Sequence, residues 1–580
     1  MKKKPYRKAK MTNWFQPSIL LNTALKAVIS GTFGNYADRR ELQAALSSKG
    51  KESDPERLQL RFAEGKKDIW IDLICDTGDG FDSTFSVAHT AAKKELDLGK
   101  EKTFRGDLLI LGGDEVYPFP TIDTYHTKFK LPFDAAADKT EEFLTKARPC
   151  MFAIPGNHDW YDGLGNFMKV FCQERMIGIW QTVQKRSYFA VPLPNNYWIW
   201  ATDIQLNSDI DQPQLDYFTD VATEQMKDGD YVILVTAEPA WVYNQVNKND
   251  KSFDRLEYFI ARNVHDSEKV INKKFKLALT LTGDLHHYSR YCSNPNGHQY
   301  ITAGGGGAFL QLTHNLPLAL DSVNQLVEEK KIVQQKIFPS RKDSLKLLLG
   351  NVSFPIRNRA FTGLSCLVFS YLFWLFQSFR LSNSGGLFLK DFRGIGLGSY
   401  MSRVTYYFLG MPSLAISIAV LFAGFWLFAD RKVNRKGTFW VGLLHAVLQT
   451  FLFFIVMYWL AQTELSDHWG TFSGNMMIVV ALSITGGTVT SLLMGIYLYL
   501  SNRLLGMHED EASSSLANPD YKNFLRLHVH AKGVTVYPVG IKKVRRNWTI
   551  TGDEDGISVN GNPVKAELIE EPIQVLNSEL

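Results

Sequence analysis

Apolar positions along this chain obey two rules in turn. Up to about residue 350 they come as short runs: Ile69 to Cys75, Leu108 to Leu111, Cys150 to Ile154, Tyr231 to Val235 and Leu277 to Thr282. Short continuous apolar runs bounded by Gly, Asp and Asn predict strands buried on both faces. From Phe361 to Leu500 the chain becomes membrane-like. Four stretches, Phe361–Phe379, Tyr406–Ala429, Phe439–Ala461 and Met476–Leu500, are long enough to cross a bilayer at about 1.5 Å rise per residue. The first is the shortest and holds Gln377. After Arg503 the sequence is polar again. A linker runs from Met507 to Pro519, Phe524 to His530 alternates, Gly533 to Val539 reads as another strand after a turn at Lys532-Gly533, and Gly556 to Ile573 suggests one or two more. The organisation predicted is a basic tail with an amphipathic helix over 1–60, a mixed α/β domain over 61–350, a four-helix transmembrane region over 361–500 and a small β-rich module over 519–577.

Charge refines this picture. The net charge of +5 gives no case for a nucleic-acid partner. Basic residues crowd the start of the chain at Lys2, Lys3, Lys4, Arg7, Lys8 and Lys10, ahead of a stretch, Trp14 to Phe33, interrupted by Gln16, Pro17, Asn22 and Lys26. That interruption does not suit a secretory signal. It suits an amphipathic helix with Ile19, Leu20, Ala24, Leu25 and Val28 roughly on one face. Two readings stay open: an anchor on an anionic membrane surface, or a solvated tail before a helix packed on the domain. Between the second and third apolar stretches stand Arg431, Lys432, Arg435 and Lys436, whereas Glu464, Asp467 and His468 join the third and fourth. The positive-inside rule then places both termini, the mixed domain and the C-terminal module in the cytosol. Arg380, Lys390, Arg393 and Arg403 in the first outer loop run against it. Within the spans, His445 reads as a helix-packing hydrogen-bond partner, and Gly424, Gly486 and Gly487 as close helix contacts. The five cysteines are scattered and odd in number, so no disulfide framework is implied.

Chemistry gathers at the ends of the predicted strands. Asp76-Thr77-Gly78, Gly113-Asp114-Glu115-Val116-Tyr117, Gly156-Asn157-His158-Asp159 and Gly283-Asp284-Leu285-His286 each follow an apolar run. Oxygen and imidazole donors at the carboxyl ends of strands suit a pair of divalent cations. Asp114 is the natural bridge between two ions, Asp76 supplies a hard anionic ligand to one, Asn157 an amide oxygen to the other, and His286 an imidazole nitrogen. Two such ions clamp a phosphate and provide hydroxide near neutral pH. His158 would face the substrate, stabilising the transition state or protonating the leaving oxygen, with Asp159 fixing its tautomer. The glycine run Gly304-Gly305-Gly306-Gly307 lets backbone approach a ligand or another loop. His314, Arg186 and the aromatic run Tyr197-Trp198-Ile199-Trp200 either line the cleft or belong to the core, and His528 with His530 could hold a metal or simply sit on a strand surface.

These motifs, from about Asp68 to His314, resemble the calcineurin-like metallophosphoesterase superfamily. The Asn-His-Asp element at Gly156–Asp159 is the most specific part. Asp-x-Gly at Asp76–Gly78 and Gly-Asp-x-x-Tyr at Gly113–Tyr117 are closest to the purple acid phosphatase variant. The resemblance implies an α/β fold of two packed mixed β-sheets flanked by helices, and it implies Tyr117 as a metal ligand. Two departures fall on one metal position. Ala237, in Thr236-Ala237-Glu238-Pro239, stands where the superfamily has a histidine, and Asp284 replaces the first histidine of Gly-His-x-His. That position becomes Asp114, Asn157 and Asp284 with one ligand missing. Glu238 is a candidate to fill the place, and Asp79 and His287 are near in sequence. An oxygen-rich set at that position favours Mn²⁺ or Mg²⁺ over Zn²⁺, and the cofactors expected for the centre as a whole are two ions, Mn or Fe, with Mg or Zn as alternatives.

The expected activity is that of a membrane-anchored, cytosol-facing, metal-dependent phosphoesterase acting on phosphomonoesters or diesters. A lipid phosphate headgroup is an attractive substrate because the domain is tethered beside the bilayer. The alternative is a catalytically weak or silent receptor or scaffold, motivated by Ala237. Nothing in the sequence sets an oligomeric state. A cysteine introduced at Asn434, in the basic loop, is expected to react with an impermeant thiol reagent only from the side that holds both termini. Labelling only from the opposite side would invert the orientation.

Overall fold

The computed structural model describes residues 4–5, 8–22, 61–137, 148–204, 210–247, 250–265, 267–292, 298–321, 332–383, 385–430, 437–463, 471–553, 556–560 and 564–577. The chain forms two compact units. One comprises residues 1–12, 21–344 and 517–580, the other 13–20 and 345–516.

The first unit is built on two sheets. In the first, β1 (Ile69–Ile74), β2 (Leu108–Gly112) and β3 (Cys150–Ile154) run parallel, and β4 (Trp180–Thr182) continues them. The second takes the order β11-β9-β10-β8-β7-β6-β5 from β5 (Phe189–Pro192), β6 (Tyr197–Ala201), β7 (Tyr231–Thr236), β8 (Lys276–Thr282), β9 (Tyr288–Cys292), β10 (Gln299–Ala303) and β11 (Ile332–Phe338). Strands β6, β7, β8 and β10 are mutually parallel, while β5, β9 and β11 pair antiparallel. Period-two alternation explains why the apolar runs are continuous. Leu108 and Ile110 face the core shared with the second sheet, where Val232, Leu234, Leu279 and Leu281 lie. Leu109 and Leu111 face a separate cluster with Phe81, Phe85 and Ala88 of α1 (Phe81–Ala91). The aromatic run of β6 is core: all of its residues are buried, and Trp198 Nε1 donates to Asp230.

The C-terminal segment is β-rich, as its alternation predicts, and its strands are woven into the first sheet. β12 (Lys522–His530) lies antiparallel beside β1, and β13 (Gly533–Ile541) beside β12, with β14 (Ile573–Leu576) on β13. Polar side chains lock this arrangement. Arg526, fully buried, donates from Nε to Asp72 Oδ1 at 2.7 Å and from Nη2 to Asp72 Oδ2 at 3.0 Å and to Ala91 O at 2.9 Å. Glu570 receives Arg290 and Tyr288 of β9. His528 stacks on Trp70 at 4.2 Å and lies 2.7 Å from Asp68, while His530 pairs with Thr535, so this histidine pair is engaged in sheet packing.

In the second unit, three helices are long and apolar enough to cross a membrane: α3 (Arg359–Asn383), α6 (Thr438–Ala461) and α7 (Phe472–Leu505). The second predicted span differs from expectation. It is two helices, α4 (Leu397–Gly410) and α5 (Pro412–Leu427), bent by 105°. Pro412 opens the second helix and drives Met411 to φ −136° and ψ 90°, outside the helical region. Leu367, Trp374, Ile416, Val420, Ile455 and Ile484 are large, apolar and exposed, as lipid-facing residues are. Gly486 and Gly487 are close contacts, since a Cβ at either would fall within the ring of Phe369 or against Cys366. Gly424 is not, for nothing lies within 4 Å of its Cβ position. His445 stacks on Tyr497 at 3.8 Å and lies 3.2 Å from Gln449, and Gln377 binds the backbone of Gly386 and Phe388 at the end of its helix. Of the N-terminal amphipathic stretch, residues 17–22 are helical, residues 14–16 precede the helix without belonging to it, and residues 23–33 lie outside the described residues.

Removing one partner of a buried ion pair leaves the other charge stranded, which costs about 3–5 kcal/mol. Arg526→Met in the full-length protein is expected to lower the unfolding free energy of the first unit by about that amount, read as a lower denaturant midpoint. An unchanged midpoint would show that β12 docks without the pair.

Candidate metal centre

The four motif turns leave strands at their carboxyl ends, Asp76 after β1, Asp114 after β2, Asn157 and His158 after β3, and Asp284 and His286 after β8. The three aspartates adopt left-handed backbone, with φ of 56°, 53° and 64°. Short polar side chains tolerate that region better than other non-glycine residues do. The turns interlock. Asp76 N donates to Gly113 O at 2.9 Å and Thr77 N to Asp114 O at 3.0 Å. Space is the second constraint. A Cβ on Gly156 would lie 2.1 Å from Asp114 Oδ1, and one on Gly283 2.7 Å from Asp76 Oδ2, so these glycines make room for carboxylates. The run Gly304 to Gly307 serves the same end from the other side. Gly306 N donates to Cys75 O, Ala308 N to Asp76 O, and Gly305 O receives Asn523 N of β12. It seats the Asp76 loop against a neighbouring strand.

Tyr117 is the hub. Its hydroxyl lies 3.1 Å from Asp76 Oδ1, 3.0 Å from Asp114 Oδ2 and 2.9 Å from His286 Nε2. His286 Nδ1 is 2.9 Å from Phe309 O, and a carbonyl only accepts, so Nδ1 carries the proton and Nε2 presents a lone pair to the hub. One phenolic hydrogen cannot serve three acceptors. Asp76 Oδ2, also buried, has no hydrogen-bond partner among the described residues. This donor set suits a cation. Among the described residues no three His, Cys, Asp or Glu groups close on one ion position.

The electrostatics agree. Burial, reinforced by Asp114 and Asp284, raises the Asp76 carboxyl well above its ordinary range, and burial pushes Asp114 up to about 7 against hydrogen bonds from His158 and Tyr117. Burial holds both His158 and His286 below the usual imidazole value.

One expectation needs correction. Asp159 does not orient His158. Its Oδ2 receives Gly156 N and Glu115 N and its Oδ1 receives Tyr125 at 2.5 Å, so it holds the motif turn together, while His158 Nδ1 faces Pro118 O at 3.0 Å. Neither His314 nor Arg186 is placed at the hub: His314 Nδ1 bonds Ser344, and Arg186 lies over the rings of Tyr217 and Tyr188. Asp79 accepts from Thr12 N and lies 3.7 Å from Lys128 Nζ, which ties the N-terminal segment around Thr12 to this loop. Asn157 is exposed, Asp284 is half-buried and Ala237 is buried beside Gly113. Two residues escaped the sequence reading. Tyr243, in α2 (Ala240–Val246), donates its hydroxyl to Asp284 Oδ2, and the fully buried Lys522 of β12 donates to Ala308 O, with burial bringing it down to about 8. Neither sits in a motif, and Lys522 is brought in from beyond the membrane helices.

Residues 55–288 match the family model of the calcineurin-like phosphoesterases, so this segment is a calcineurin-like phosphoesterase domain. Among solved structures, the chain is similar to GAP50, described as the anchor in the inner membrane complex of Plasmodium, at 13% identity and a TM-score of 0.30, over 48% of this chain and 94% of that one. It is similar also to PhoD, at 10% identity and a TM-score of 0.27, over 48% of this chain and 63% of that one. No curated protein matches the chain.

A carboxyl whose value is raised on folding binds more protons in the folded than in the unfolded chain. Stability therefore falls as pH rises from the ordinary carboxylate range through the folded value. After chelator treatment the thermal midpoint is expected to fall between pH 5 and about 7, as Asp114 ionises. Added Mn²⁺ should restore most of it at the upper end. A midpoint flat in pH and insensitive to Mn²⁺ would mean that these carboxylates are compensated from within the protein.

Proposed function

We propose that this protein is a membrane-anchored phosphoesterase that hydrolyses phosphomonoesters or diesters at a dinuclear metal centre. The observation that carries the reading is the convergence of Asp76, Asp114 and His286 on one phenolic hydroxyl, in turns packed too tightly for any side chain at Gly156 or Gly283. Asp76, Tyr117 and His286 would hold one ion, Asn157 and Asp284 the other, and Asp114 both, with Mn or Fe suited to so many oxygen donors and Mg or Zn as alternatives. Bound ions of this kind supply a clamp for the phosphate and a source of hydroxide. The chain supplies the rest. His158, whose Nδ1–H is held by Pro118 O, would face the leaving oxygen, and in its imidazolium form it would give that oxygen the Nε2 proton. Asp159 acts at one remove, by holding the turn that carries Asn157 and His158.

Connectivity supports the sidedness. Strands before and after the apolar helices pair within one sheet, so the chain must cross the bilayer an even number of times. That count is met if the bent pair α4–α5 makes one crossing beside the three long helices. The basic loop Arg431 to Lys436 then puts the catalytic domain in the cytosol. A lipid phosphate headgroup is one candidate substrate, because the domain is joined in one chain to helices apolar enough to cross a membrane.

Full-length protein in mild detergent, supplied with Mn²⁺ or Fe, is expected to hydrolyse an aryl phosphomonoester or diester. Asp114→Asn should abolish turnover, and His158→Ala should reduce kcat by about 10²–10⁴-fold. Folded protein without turnover under any metal, on aryl esters and on phospholipid headgroups alike, would favour a binding or scaffold role.

A further inference from the structure

Ala237 stands between two turns of the centre. β7 runs in register with β8, Thr236 beside Thr282, and Gly283 N donates to Ala237 O at 3.3 Å, one residue before Asp284. On the other side, a Cβ on Gly113 would lie 3.0 Å from the Ala237 methyl, one residue before Asp114. A methyl group at this point offers no donor atom to an ion shared by Asp114, Asn157 and Asp284. The chain then turns at Pro239 into α2, and within one helical turn Tyr243 sends its hydroxyl back to Asp284 Oδ2. Both residues are half-buried, as groups at the mouth of a site are.

We propose that Tyr243 takes the metal-binding place that Ala237 leaves empty of a ring nitrogen, an assignment that rests on the metal-dependent reading above. The phenol oxygen is a hard donor, in keeping with the oxygen-rich set around it. The centre would then have a phenol on each side. Tyr117 is held on Asp76 and Asp114, and Tyr243 on Asp284. An imidazole delivered from the end of β7 is replaced by a phenol delivered from the following helix, because the helix starts so soon after the strand that its first turn overlooks the same turns of chain.

The test is metal binding, independent of turnover. Full-length protein in detergent, stripped with chelator, is titrated with Mn²⁺ by calorimetry, and ions per chain are counted after dialysis. Wild type is expected to bind two ions. Tyr243→Phe, which removes a single oxygen, should keep one and weaken the other by about 10- to 100-fold. Adding Ala237→His to that variant should recover the second ion. With ferric iron as the probe, Tyr117→Phe should retain a visible phenolate-to-iron absorption band that the Tyr117→Phe/Tyr243→Phe double variant lacks. Wild type binding two ions and Tyr243→Phe binding both with unchanged affinity would overturn this assignment alone. So would loss of the second ion in Glu238→Gln but not in Tyr243→Phe, which would give the place to Glu238. Wild type that binds no Mn²⁺ or ferric iron would overturn the metal-dependent reading, and the assignment with it.

Discussion

The buried contact between Arg526 and Asp72 is the constraint on which the first unit depends. Asp72 lies inside β1, the strand that delivers Asp76 four residues later, and its partner comes from a strand more than four hundred residues further on. A charge so deeply placed is tolerated only when its partner and hydrogen bonds are in place. Here the guanidinium spans both carboxylate oxygens and the end of α1. The first sheet is therefore completed only after the apolar helices have been synthesised. Residues matched by the family model stop at 288, yet the folded unit extends to the C-terminal strands.

That dependence reaches the centre itself. The Asp76 turn is seated by Gly306 and Ala308 behind it, and these in turn rest on β12 through Asn523 and Lys522. A second support comes from the start of the chain, where Thr12 N binds Asp79 and Lys128 binds Thr12. The loop that carries the first aspartate is thus held by segments from both extremes of the sequence. Such support is what keeps acidic side chains at strand ends close together despite their mutual repulsion.

Acidic crowding is also the chemical content of the centre. Burial raises Asp76 and Asp114, and the one phenolic hydrogen of Tyr117 cannot satisfy all three groups that face it. A cation placed among these side chains would relieve both problems at once.

The sequence by itself determined the elements and the motif chemistry. Continuous apolar runs marked the parallel strands because those strands are covered on both faces, and Gly and Asp marked the turns because close packing at Asp114 and Asp76 leaves no room for a Cβ. Apolar length marked the membrane helices. Tertiary structure alone decided the rest. The alternation of Phe524 to His530 spelled a strand but not its neighbour, since β1 presents no sequence mark of an antiparallel partner. Asp159 stands next to His158 in sequence, yet strand-end geometry turns its carboxylate onto backbone amides. Tyr243 belongs to no motif, and only the short passage from β7 into α2 brings its hydroxyl onto Asp284. Local pattern reports which face of an element is apolar. Which distant groups meet at a strand end is set by how sheets and helices stack, and one-dimensional periodicity does not carry that information.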